Sequence, residues 1–217
     1  VEKEVYCIND VVRIRREMLG ITRKQLCDDG ILCSEKTLRR LEDGGKKIQK
    51  GILRELLGRL RLSTESCRTE LVTSDPEAVE IMSRVRIQMR NRDNEQATQS
   101  LEKLRGQISM EDPSNRQAWM RFQAVNEVHK GTITGEECVE RVREALECTL
   151  PWEAAVRPGE KYLTNEEISC ILNMTCRKKG MEEKKKRQIA TLEEQYRAYE
   201  REKLIFCFIS MYEIVMG

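Results

Sequence analysis

The chain has one histidine, four prolines and few aromatic residues, about 5% of 217. That scarcity argues against a β-sandwich or barrel, which needs aromatic and β-branched strands cut by frequent turn signals. The lone histidine, His129, has no His or Cys close by in sequence. None of the nine cysteines (Cys7, Cys27, Cys33, Cys67, Cys138, Cys148, Cys170, Cys176 and Cys207) forms a C-x-x-C pair. Zinc sites and Cys–His nucleophiles therefore have nothing to be built from. There is no glycine-rich phosphate loop and no Ser/His/Asp set, so no catalytic residue, cofactor or metal is expected and the chain does not read as an enzyme. Long apolar runs are missing too. The longest, Leu204 to Met216, is 13 residues interrupted by Glu213, too short to span a bilayer, and no signal peptide opens the sequence. A soluble, cytoplasmic protein with no membrane segment is expected, its odd number of cysteines serving as reduced core thiols. Because the chain begins at Val1 and stops just after that apolar run, it reads as a piece of a longer protein.

What is present is charge and helical periodicity. Apolar residues make up 39% and charged residues 35%, with a mean hydropathy of −0.61. This is enough Leu, Ile, Val and Met for a core, so general disorder is not expected. The net charge of +2 is unevenly spread. Residues 1–62 hold 15 Lys and Arg against 10 Asp and Glu, while the remainder holds 24 against 27. A basic small module on a mildly acidic body suits a polyanion-binding head.

The first sixty residues read as four short helices. Asp10 is placed to cap the first, whose apolar positions are Val11, Ile14 and Met18, and Gly20 closes it. Thr22 caps a second helix, Arg23 to Asp28, with Leu26 and Cys27 facing inward, and Gly30 supplies the turn. Ser34 caps a third, burying Leu38 and Leu41 and exposing Glu35, Lys36, Thr37, Arg39 and Arg40 before Gly44 and Gly45 end it. A fourth carries Ile52, Leu53, Leu56, Leu57 and Leu60 as a roof.

The segment LGITRKQLCDDGILCSEKTLRRLEDGGKK resembles the Xre/lambda-repressor-like helix-turn-helix family. Its pattern is matched by Leu19, Gly20, Ile21, Thr22, Leu26, Ser34, Thr37, Leu38, Leu41, Glu42 and Gly44. Two departures stand out: Cys27 replaces a small alanine, and the turn from Cys27 to Ser34 is about one residue longer than the family's. The resemblance implies double-stranded DNA as partner, with the third helix in the major groove. Glu35, Lys36, Arg39 and Arg40 would then reach base edges. Thr22, Arg23 and Ser34 are placed for phosphates, Thr37 shares the face, and Lys46, Lys47 and Lys50 extend the positive surface.

Residues 63–75 read as a polar linker and 76–217 as a helical region, truncated at its end. Helix starts near 76, 94, 114, 135, 165 and 182 suggest antiparallel hairpins, with Pro151 to Gly159 as a loop. Thr134-x-x-Glu137 and Thr164-x-x-Glu167 form capping boxes. Such hairpins resemble tetratricopeptide-like solenoids, and Trp119, Phe122, Trp152 and Tyr162 suit their core better than a groove. The run Lys184 to Arg187 reads as a solvated helix face. The expected fold is all-α: a helix-turn-helix head followed by helical hairpins. Together these parts resemble the Rgg- and PlcR-type peptide-sensing regulators of Gram-positive bacteria. That implies a homodimeric transcriptional regulator controlled by a signal peptide or protein. The alternative is a helical scaffold in which the helix-turn-helix is only a packing module.

Overall fold

Helix α1 (Ile8–Met18) turns Val11, Val12, Ile14 and Met18 inward, and with them, unusually for a small module, Arg15 and Arg16. The computed structural model describes residues 8–45, 48–62 and 71–176 together with Ala190. Asp10 does not cap α1, contrary to expectation. The helix is already formed at Ile8, so Asp10 sits in its first turn and pairs with Arg13 at 3.4 Å.

Helix α2 (Arg23–Leu26) starts at a reciprocal cap: Gln25 N donates to Thr22 Oγ1 at 3.2 Å, and Thr22 N donates to Gln25 Oε1 at 2.9 Å. A 3-10 turn, Asp28–Gly30, leads to α3 (Glu35–Glu42), where Thr37 N donates to Ser34 Oγ at 3.2 Å. Helix α4 (Lys50–Arg59) follows, and its Leu56 and Leu57 close over Leu26, Leu38 and Leu41 together with Leu60. The expected second helix is shorter than its sequence suggests, because Cys27 is its C-cap and Asp28 leaves the right-handed region.

The body runs α5 (Pro76–Arg90), α6 (Asn94–Gln107), α7 (Pro113–Lys130), α8 (Gly135–Glu147), α9 (Trp152–Val156) and α10 (Asn165–Cys176). Asp75 and Asp112 cap α5 and α7, each with a proline in the first turn where no donor is needed. Both predicted capping boxes are present, at Thr134 with Glu137 and at Thr164 with Glu167. Neighbours in sequence pack together, α5 on α6, α6 on α7 and α7 on α8, with α10 against α7 and α8. No strand occurs among the described residues, so the fold is all-α.

Two expectations need correction. The segment expected as a loop after Pro151 contains α9, whose Ala154 and Ala155 are buried beneath the head. Helix α6, which the spacing of Ala97, Leu101, Leu104 and Ile108 predicts from Asn94 to Met110, stops at Gln107, with Ile108 extended. Apart from Ala190, the helix expected from near 182 with its run Lys184 to Arg187, and the final apolar run Leu204 to Met216, lie outside the described residues, as do Lys46 and Lys47.

The core is divided in a way the sequence did not suggest. One apolar cluster joins α5, α6 and one face of α7, from Leu71 and Ala78 through Phe122 to Val125. The other begins in α1–α4 and continues without a break into Val142, Leu146, Leu150, Ala155, Ile168 and Ile171. Trp119, Phe122 and Tyr162 are buried, and Trp119 Nε1 donates to the Leu101 carbonyl at 3.0 Å, so these aromatics are core residues.

Candidate nucleic-acid interface

Helix α3 has one face that must be buried and one that need not be. Leu38, Leu41 and Glu42 face inward, while Glu35, Lys36, Arg39 and Arg40 are exposed, and Thr37 is half-buried. The four exposed side chains are those that helical spacing predicts for an outward face. Arg39 has an i,i+4 pairing with Asp43 at 3.8 Å, where both groups are well exposed and the interaction is weak. Among the described residues, the head's bonds to the body come from α1 (Arg13, Arg15, Met18) and from Arg61 just after α4, and this face of α3 stays exposed.

The remaining candidates do local structural work. Ser34 caps α3, and its Oγ lies 2.9 Å from Thr37 Oγ1. Thr22 is exposed, and its hydroxyl donates to Gln25 Oε1 at 2.9 Å. Arg23 turns back toward the protein, its Nε donating to Glu42 Oε2 at 2.7 Å. That hydrogen bond, helped by the charge of Glu42 and opposed by desolvation, raises the Arg23 pKa above its ordinary value.

Sequence reasoning missed what anchors this face. Glu42, whose side chain is fully buried, also accepts from Arg16 Nε at 2.6 Å and from Arg16 Nη2 at 3.2 Å. One carboxylate thus ties α1, the start of α2 and the end of α3 together. Beneath it, Arg15 reaches into the body. Its guanidinium donates to Glu167 at 2.5 and 3.0 Å and to the carbonyls of Thr149 (2.9 Å), Leu60 (3.2 Å) and Tyr162 (3.3 Å). Arg157 Nη1 donates to the Met18 carbonyl at 3.4 Å, and Arg61 Nη1 to that of Glu147 at 3.2 Å. Head and body meet through a polar bolt set in an apolar cluster.

The turn before α3 runs through left-handed backbone. Asp28 and Asp29 have φ of 57° and 50°, and Gly30 97°. Aspartate tolerates this region better than most residues. Asp28 is held by Arg59 at 2.9 Å, a hydrogen bond that, with the arginine's charge, lowers the Asp28 pKa. Farther off, burial pulls the Lys161 ammonium down to about 8, and its Nζ donates to the Ala154 carbonyl at 2.8 Å and to that of Arg157, closing the end of α9. Among the described residues no group of three or more His, Cys, Asp or Glu is arranged to hold a metal, and no helix is long and apolar enough to cross a membrane.

A cavity of about 400 Å³ opens between α7 and α8, lined by Trp119, Met110, Met120, Arg116, Arg141 and Glu144 among others. Its lining mixes apolar side chains with two arginines and a glutamate.

No protein-family description matches the chain, and no curated protein matches it. Two solved structures match the chain distantly. Bacillus thuringiensis PlcR, solved with the peptide PapR7 and DNA, is 15% identical, with 88% of this chain and 65% of PlcR covered and a TM-score of 0.44. ComR from S. thermophilus, solved with DNA and its signalling peptide ComS, is 18% identical, with 96% and 68% covered and a TM-score of 0.40. This chain thus spans just under two thirds of the PlcR chain.

Proposed function

We propose that the chain is a sequence-specific DNA-binding transcriptional regulator whose residues 1–62 form the reading head. The observation that carries this reading is the face of α3: Lys36, Arg39 and Arg40 are exposed together with Glu35, while the head's contact with the body uses other helices. In a scaffold built on the same helices, the third helix is the natural surface to cover. Lys36 and Arg39 suit guanine O6 and N7, Glu35 suits cytosine N4, and Arg40 shares this base-reading face. Thr22, Ser34 and Thr37 would join at the starts of α2 and α3, whereas Arg23 would have to leave Glu42 to do so.

A selection from random duplexes followed by gel shift tests this. The Arg39→Ala/Arg40→Ala variant is expected to bind the selected duplex on the order of 30-fold more weakly or worse, since each good base contact is worth about 1–3 kcal/mol. Wild-type affinity is expected to fall steeply as salt rises. No enriched duplex, or equal binding by the variant, sinks the reading and leaves the scaffold.

The proposal extends to a cytoplasmic homodimer regulated by a signal peptide, through the resemblance of a helix-turn-helix head joined to helical hairpins. The cavity between α7 and α8 offers apolar walls for a side chain and arginines for a carboxylate. Isothermal titration of the full chain with candidate peptides is expected to give saturable heat. Absence of heat across a diverse peptide set removes this part and leaves DNA binding untouched.

A further inference from the structure

Two thiols meet across the turn that joins α2 to α3. Cys27, the C-cap of α2, is fully buried, whereas Cys33, directly before the cap residue Ser34, is half-buried. Their Sγ atoms lie 3.6 Å apart with both cysteines free. The backbone between them doubles back through the left-handed residues Asp28, Asp29 and Gly30. The Cys27 carbonyl accepts from Gly30 N at 3.2 Å and from Leu32 N at 3.1 Å. This fold-back holds the two sulfurs in van der Waals contact, and a disulfide would bring them to about 2 Å.

We propose that Cys27 and Cys33 form a modification site, which a low-molecular-weight disulfide converts into a disulfide across the turn. The Cys33 thiolate attacks one sulfur of the reagent, forming a Cys33 mixed disulfide and expelling one thiolate. Cys27 then gives up its proton and attacks the Cys33 sulfur, forming the Cys27–Cys33 bond and expelling the second thiolate. The protein dithiol loses two electrons, the reagent gains them, and the two thiol protons end on the two released thiols.

Exposure sets the order of events, because only Cys33 meets solvent. Burial, and then the hydrogen bond and charge of Cys33, push the Cys27 thiol up to about 12, so Cys27 does not begin the reaction. The part of that elevation due to Cys33 disappears once Cys33 carries the mixed disulfide. The bond closes a loop ending one residue before the cap of α3, and so fixes where the helix starts relative to α2. Its effect on DNA rests on the reading of α3 proposed above; the thiol chemistry does not.

The test uses the full chain, oxidised glutathione, alkylation of the remaining thiols and tryptic mapping. Cleavage after Lys24 and Lys36 leaves both cysteines on one peptide, residues 25–36. In wild type this peptide is expected to lose both alkylation sites and two hydrogens, and to regain them with dithiothreitol. Cys27→Ser is expected to stop at a glutathione adduct on Cys33, and Cys33→Ser to leave Cys27 unmodified. A wild-type peptide carrying glutathione on Cys33 beside an alkylatable Cys27, or one still alkylatable at both cysteines in excess reagent, overturns the proposal. On the selected duplex, oxidised wild type is expected to differ about 5-fold or more from reduced wild type, with no such change in Cys27→Ser. Equal responses overturn the link to DNA, and a chain that selects no duplex fails the DNA reading while the mapping result stands.

Discussion

Arg15→Met is expected to destabilise the protein by about 3–5 kcal/mol, measured by urea unfolding of the full chain. Methionine fills much of the volume but takes every donor away. Arg15 and Glu167 are both at 0% exposure, so the carboxylate left behind has no water to turn to. It keeps the bond from Thr149 Oγ1 at 2.7 Å and that from Thr164 N at 2.9 Å, but loses its countercharge. The carbonyls of Leu60, Thr149 and Tyr162 lose a donor in the same step, each a buried acceptor whose partner is costly to remove. The double variant Arg15→Met/Glu167→Gln is expected to recover part of the loss, because a neutral amide is far cheaper to bury than an unpaired charge. A loss below about 1 kcal/mol for Arg15→Met alone contradicts the role assigned to this pair. Since Arg15 is the head's deepest reach into the body, the variant is also expected to loosen the junction, read as faster amide exchange in α10.

Glu42→Gln is the second large effect, expected to cost about 2–3 kcal/mol by the same measurement. The amide keeps the shape and one acceptor while removing the charge that two arginines share. The loss is smaller than at Arg15 because the partners have somewhere to go: Arg23 is 37% exposed and Arg16 10%, against 0% for Glu42 itself. Arg23→Ala, by contrast, is expected to cost no more than about 1 kcal/mol, since Arg16 still answers Glu42. If Arg23→Ala proves as damaging as Glu42→Gln, the shared carboxylate is not what joins α1, α2 and α3.

Much of the head was legible because its signals are local. Thr22 and Ser34 were identified as caps from residue type and from the apolar positions that follow them, and both make the expected bonds. The split of α3 into Leu38 and Leu41 on one side and Lys36, Arg39 and Arg40 on the other is helical spacing alone. Arg15 could have been suspected, since it falls between Val11 and Met18 on the apolar stripe at i+4 and i+7. What spacing could not supply was its partner, 152 residues away on a helix whose glutamate had been read only as a cap. Helix α9 was missed for a related reason: five residues behind a proline carry too little periodicity, and its burial against the head stabilises it.

Composition and periodicity by themselves determined that this protein is helical, where most of its helices begin, and which side chains of α3 face outward. These follow from backbone hydrogen bonding and side-chain direction within a turn or two. Only the tertiary structure decided that head and body share one core, that Arg15 and Glu42 are spent on internal carboxylate–guanidinium contacts, and that Cys27 and Cys33 touch. Each depends on chain segments brought together by packing, or on a left-handed turn whose course no repeat in the sequence encodes. Among the described residues, the same packing leaves the side of α3 that carries Lys36, Arg39 and Arg40 exposed.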